Sequence, residues 1–194
     1  ADRLKQGDLT IVSSFREATV LFADIAAFTR LATTMAPSRM VQLLNDIFSS
    51  FDRLVEARGL EKIKTIGDSY MVVGGVPIPL SNHAEACADL AIEMLEALAD
   101  FNRRHQLSWE LRIGINSSPV TAGIIGTRKF AYDLWGDTVN IASRMESHGQ
   151  VGRIQVSPAT QLLLAGKFDF EERGAVDVKG VGPMATFHLL GRKK

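Results

Sequence analysis

Lys62-Ile63-Lys64-Thr65-Ile66-Gly67-Asp68-Ser69-Tyr70-Met71 reads as strand, tight turn, strand. β-Branched Ile63, Thr65 and Ile66 lead up to Gly67, and Tyr70, Met71, Val72 and Val73 follow it. A glycine between two β-prone runs marks a hairpin tip. Lys64 and Asp68 are charges that a hairpin does not need. A lysine within a strand is not an ordinary core residue, and a carboxylate at a strand end is placed to hold a hard cation. On this stretch alone, a surface ion pair beside a turn explains the two charges equally well.

Working outward, Pro37-Ser38 opens a helix whose apolar positions Met40, Leu43, Leu44, Ile47, Phe48, Phe51 and Leu54 follow the rhythm of a core-facing helix, and Gly59 ends it. Before it, Glu17–Asp24 is a continuous apolar strand finishing on an acid, and Ala26–Thr34 reads as a short helix. After the hairpin, Asn82 caps a long helix with Ala86, Leu90, Ile92, Leu95, Leu98 and Phe101 on its inner side. Residues 110–116 alternate as a strand, and Val120–Ile125 give another. The order β-α-β-β-α-β predicts an α+β fold: a ferredoxin-like core, an antiparallel sheet with helices on one face. A C-terminal α/β extension follows, with a strand at 130–135, a helix from Asp137 to Ser147, a short strand at 153–156, a helix over Pro158–Leu164, and closing strands at 167–178 and 185–190.

The chain of 194 residues fits one domain over 15–194, with 1–14 as a linker or the end of an upstream coupling segment. Lys+Arg and Asp+Glu are both 22, so no basic field points to nucleic acid. A ferredoxin-like RNA-binding module would also want exposed aromatics on its sheet, which 7% aromatic residues support poorly. One cysteine, Cys87, excludes a disulfide within the chain and fits a reducing compartment, so a cytoplasmic domain is expected. No run of 18 apolar residues exists to span a bilayer. The start at Ala1 rather than Met suggests a piece of a longer protein, whose upstream region could be regulatory or membrane-attached.

Three groups of residues carry chemistry. Asp24 ends the first core strand and Asp68 sits on the hairpin tip, neighbours in a ferredoxin-like sheet. Two such carboxylates repel unless a cation lies between them, and Mg²⁺ or Mn²⁺ is the economical answer; Asp24 as a simple helix N-cap is the alternative. Asn140 and Arg144, at i and i+4, share one helix face and can grip a phosphoryl oxygen and a sugar oxygen together, or form a solvated face. Asp133 is a lone acid in an apolar strand and needs a partner, for which the exocyclic amine of a base is suited. Arg112 points away from the layer that Leu111 and Ile113 pack, and Lys179 lies in a glycine-flanked loop. The chain has no GxxxxGK[ST], so it is not a P-loop enzyme.

Together, Val20-Leu-Phe-Ala-Asp-Ile25 with Phe28-Thr29, Lys62–Asp68, Arg112-Ile-Gly-Ile115, Tyr132–Glu146 and Val178-Lys-Gly180 resemble the class III nucleotidyl cyclase catalytic domain, over about residues 17–190. The resemblance implies an adenylyl cyclase that makes 3′,5′-cyclic AMP and pyrophosphate from ATP. It implies two divalent cations, Mg²⁺ or Mn²⁺, on Asp24, Asp68 and the carbonyl of Ile25, and a triphosphate held by the backbone near Phe28 and Thr29 with Arg112 and Lys179. Lys64 and Asp133 would read the base, a pairing that goes with adenine in this family. Asn140 would orient the ribose, and Arg144 would stabilise charge on the α-phosphoryl group. The family's sites lie between two domains, so a head-to-tail homodimer is expected. Guanylyl cyclase and a non-catalytic cyclase-like dimerisation domain are the rival readings. Ala27 stands where the family often has glycine; if the position needs positive φ, alanine is costly there, whereas a helix over 26–34 would tolerate it. Val181 stands where some members have a second lysine.

Overall fold

The computed structural model describes residues 11–126 and 129–194. In chain order the elements are β1 (Ile11–Phe15), β2 (Thr19–Ile25), α1 (Phe28–Ala32), α2 (Pro37–Ala57), β3 (Glu61–Ile66), β4 (Ser69–Gly74), α3 (His83–His105), β5 (Leu111–Ser117), β6 (Val120–Ile125), β7 (Ala131–Trp135), α4 (Asp137–Ser147), β8 (Ile154–Val156), α5 (Pro158–Leu164), β9 (Phe168–Val178) and β10 (Gly182–Arg192). The expected α+β architecture is present. β2, β3, β4 and β5 with α2 and α3 form the ferredoxin-like core in the strand order β3-β4-β2-β5.

Alternation along β2 divides the molecule into two cores. Leu21, Ala23 and Ile25 pack with α2 and α3 against Ile113 and Ile115 of β5. Val20 and Phe22 face the other way, with Met71, Val73, Leu134 and Ala142. That second face is covered by α4 and by a separate three-stranded sheet, β1-β6-β7, so helices lie on one face only within the ferredoxin-like core. The extension also lengthens the main sheet to seven strands, β3-β4-β2-β5-β8-β10-β9. Here β8 runs parallel to β5, the one parallel pairing among the described strands. The long return from β5 to β8 through β6, β7 and α4 is the crossover that a parallel neighbour requires.

The expected linker at 1–14 differs at its end. Ile11–Phe15 pair antiparallel with β6, Ile11 opposite Ile124 and Phe15 opposite Val120, so this stretch belongs to the fold. Its polar look is that of an edge strand, with Val12, Ser13 and Ser14 exposed. Residues 1–10 of that segment lie outside the described residues, as do 127–128 of the basic loop. No helix among the described residues is long and apolar enough to cross a membrane.

Candidate active site

The hairpin tip and the end of β2 meet, as expected of neighbours in a ferredoxin-like sheet. Ile66 pairs with Ser69, leaving Gly67-Asp68 as a two-residue turn, and Gly67 takes φ 59°, a conformation costly for other residues. Asp24 pairs with Ser69 on one side and with Arg112 on the other. The carboxyl groups of Asp24 and Asp68 stand against each other, with Glu146 also beside Asp24 and the Ile25 main chain beside Asp68. Burial, with Asp24 alongside, pushes the Asp68 carboxyl up to about 7. Asp24 is likewise raised, chiefly by burial. Its Oδ1 is buried without any partner. Two half-buried acids side by side, one with an orphaned oxygen, fit the donor set of a hard divalent cation. Among the described residues no three acids, histidines or cysteines form a closed cage, so main-chain and ligand oxygens would complete such a seat.

Arg112 projects from β5 onto the same face as Asp24. Its Nε donates to Glu146 Oε1 at 3.0 Å, and its Nη2 lies 3.6 Å from Asp24 Oδ2. Glu146, only 7% exposed, was not among the residues singled out from sequence. Its signal was legible, because it follows Ala142 and Met145 on the inward stripe of α4, where a charge needs a partner.

Lys64 Nζ donates to Asp133 Oδ2 at 2.6 Å, while Asp133 Oδ1 accepts from the Leu134 amide at 2.8 Å. The pair joins the main sheet to the β1-β6-β7 sheet. A β-bulge makes this contact. Lys62 stands opposite Val72, whose face belongs to the α2–α3 core, but Lys64 stands opposite Met71, whose face is the other one. Strict alternation would put both lysines on one side; the extra residue at the bulge re-aims Lys64.

Helix α4 has two working faces. Thr138, Ala142, Met145 and Glu146 are buried against the sheet. Asn140 and Arg144 turn outward and line a cavity of about 640 Å³ together with Lys179 and Val181 of the β9–β10 turn. The helix lies antiparallel along β5. Asn116 Nδ2 donates to the Thr138 carbonyl at one end, and Arg112 holds Glu146 at the other. Between them Gly114 lets the backbones touch: a Cβ there would lie 2.5 Å from the Met145 carbonyl carbon, and closer still to the Glu146 amide. The candidate residues thus fall into three groups. Asp24, Ile25, Asp68 and Arg112 are together, Lys64 meets Asp133, and Lys179 is with Asn140 and Arg144 rather than with Arg112.

Phe28 packs its ring into the α2–α3 core, whereas Thr29 is exposed, so Phe28 can offer only main-chain groups to a ligand. Ala27, the N-cap of α1, has φ 55° and ψ 32°. The position does take a left-handed conformation, and the helix begins after it rather than at 26. For an L-residue this costs on the order of 1–2 kcal/mol.

A family model described as the adenylate and guanylate cyclase catalytic domain matches residues 11–191. An adenylate cyclase of Mycobacterium tuberculosis is 47% identical over 194 residues, covering all of this chain and 44% of its own length. The human guanylate cyclase soluble subunit beta-2 is 41% identical over 192 residues, 98% of this chain and 31% of its own. The guanylate cyclase domain of RhGC from Catenaria anguillulae, solved in complex with GTP, superposes with a TM-score of 0.89 at 36% identity, over 93% of this chain and 100% of that domain. The chain therefore spans less than half the length of these curated relatives. With its fold, its paired acids and its two-faced helix α4, this chain belongs to the adenylate and guanylate cyclase catalytic domain family.

Proposed function

We propose that this domain is an adenylyl cyclase, converting ATP to 3′,5′-cyclic AMP and pyrophosphate. The Lys64–Asp133 pair carries the reading. It presents one donor and one acceptor side by side, 2.6 Å apart. Adenine offers the matching edge, an acceptor at N1 and a donor at N6. Guanine offers a donor at N1 and an acceptor at O6, the reverse pattern. Guanylate cyclases among the relatives favour GTP as the second reading.

In the proposed reaction the ribose 3′-oxygen attacks the α-phosphorus in line, the bond from that phosphorus to the bridging β-phosphate oxygen breaks, and pyrophosphate leaves. Asn140 orients the ribose. Arg144 balances charge on the α-phosphoryl oxygens. Arg112, Lys179 and the main chain at Phe28 and Thr29 hold the leaving phosphates. Asp24, Asp68 and the Ile25 carbonyl would hold two Mg²⁺ or Mn²⁺ ions, which supply neutralisation of phosphate charge. Positioning and electrostatics provide the rate.

The outward face of α4 supports a shared site. Arg144 and Asn140 point away from the sheet while Glu146, on the inward side, meets Arg112 beside Asp24. One chain cannot turn both faces of one helix to a single substrate. A head-to-tail homodimer can, with the acids and Arg112 of one subunit facing Lys64, Asp133, Asn140 and Arg144 of the other.

Product formation from ATP and GTP side by side, with Mn²⁺ and with Mg²⁺ at several protein concentrations, tests the reading. Cyclic AMP rising more than linearly with protein is expected. Cyclic GMP as the main product would refute the base assignment while leaving the cation seat in place. No product from a folded dimer would favour the non-catalytic reading.

A further inference from the structure

Arg112 has two carboxylates within reach and only one of them is free to keep it. Asp24 Oδ2 is 3.6 Å from Nη2, while Glu146 Oε1 takes the Nε proton at 3.0 Å. A guanidinium that swung fully onto Asp24 would also take its partnerless Oδ1, closing a fork on the carboxylate proposed to hold a cation. Glu146 prevents this. It is 7% exposed, with Arg112 its ion-pair partner among the described residues and Asp24 as a carboxyl neighbour, so letting go would leave the two carboxyls facing each other without a cation between them. The contact is made through Nε, which leaves Nη1, and Nη2 beyond its long contact with Asp24, for phosphate oxygens. Gly149 makes room for the arrangement, since a Cβ there would stand 3.2 Å from Arg112 Cγ.

We propose that Glu146 is a positioning residue: it holds Arg112 by its Nε edge, keeping the guanidinium's contact with Asp24 long and one-sided, short of a closed fork, so that a divalent cation can bind there. The inference rests on the reading of Asp24 and Asp68 as the cation seat, and it adds a residue of α4 to the cation's requirements. It also makes the seat sensitive to where α4 lies, because Glu146 moves with that helix.

The test is Mn²⁺ binding to the intact chain without nucleotide, followed by electron paramagnetic resonance of the free ion. Glu146→Asp keeps the charge but shortens the tether; it should weaken Mn²⁺ binding about fivefold. Glu146→Gln should weaken it about tenfold. Adding Arg112→Ala to Glu146→Gln removes the competitor and should restore binding to within about twofold of wild type. A residue that merely stabilised the fold would show no such rescue, and thermal unfolding of each variant reports folding separately. Glu146→Asp binding Mn²⁺ like wild type would overturn the positioning role. A double variant no tighter than Glu146→Gln would overturn the competition. Wild-type protein whose Mn²⁺ binding is indifferent to Asp24→Ala would overturn the cation seat itself, and the inference with it.

Discussion

Lys64 and Asp133 satisfy each other in the absence of substrate, so either one alone is a half-buried polar group without its counterpart. Lys64→Ala removes the donor proposed for adenine N1 and leaves Asp133 uncompensated. Each lost contact of this kind is worth about 1–3 kcal/mol, so kcat/KM for ATP should fall roughly 10- to 100-fold, read in steady-state assays against unchanged folding by circular dichroism. His188 makes a second residue-level prediction. It is 3% exposed on β10, opposite Gln155 of β8 and Glu171 of β9, and neither ring nitrogen has a partner. Burial, aided by Arg153 and Arg173, holds its pKa below the ordinary value, despite Glu171. The unfolded chain therefore takes up the proton more readily, so the contribution of His188 to stability should fall as pH drops below about 6.5, against the opposite contribution of Asp68 and Asp24, whose raised carboxyls take up protons in the folded chain. In urea titrations at pH 7, 6 and 5, the stability of His188→Gln relative to wild type should rise as pH falls, because the acid contributions are common to both. His83, lowered by burial in the same direction, contributes equally to both proteins and cancels in the comparison. Equal pH dependence in wild type and variant would refute the assignment. At this scale much of the site was legible: Asp24, Asp68 and Asp133 announce themselves as charges at strand ends or in apolar runs. The left-handed φ of Ala27 was legible only as one of two alternatives, because alanine has no local preference for that conformation and a helix over 26–34 accounted for it equally.

Helix α4 and strand β5 act as one clipped pair, pinned by Asn116 to Thr138 and by Arg112 to Glu146, with backbone contact at Gly114. Gly114→Ala would force the helix outward, carrying Asn140 and Arg144 with it. Overpacking of this kind costs about 1–3 kcal/mol or more, so the urea midpoint should drop with little change in m, and residual activity should fall further than stability. A variant as stable and active as wild type would show that the pair can separate freely. The helix bounds at Asp137 and Ser147 agree with those read from sequence, since an amphipathic stretch after a glycine is a local signal. The bulge at Ile63 and strand β1 were beyond that reach. Both are made by pairing with distant strands: register on β4 moves Lys64 to its useful face, and β6 turns a polar-looking stretch into an edge strand.

For the whole molecule, the two faces of α4 predict complementation. Asp24→Ala and Arg144→Ala should each abolish activity in the homodimer. Mixed in equal amounts, they form heterodimers in half of the dimers, each with one intact site of two, so about a quarter of wild-type activity should return. No recovery, with mixed dimers demonstrated by native mass spectrometry, would exclude a site shared between subunits.

The position of β2 also bears on how the chain is made. Its first residue, Thr19, pairs with Gly74 on one side and with Ser117 on the other. On a translating ribosome its second neighbour is made on the order of 10 s after β2 emerges. Until then, Thr-Val-Leu-Phe-Ala-Asp-Ile presents an unpaired, largely apolar edge to every other nascent chain nearby. The strand that carries Asp24 is thus also the stretch most exposed to mispairing during synthesis, and a chain released before β5 would carry that open edge with it.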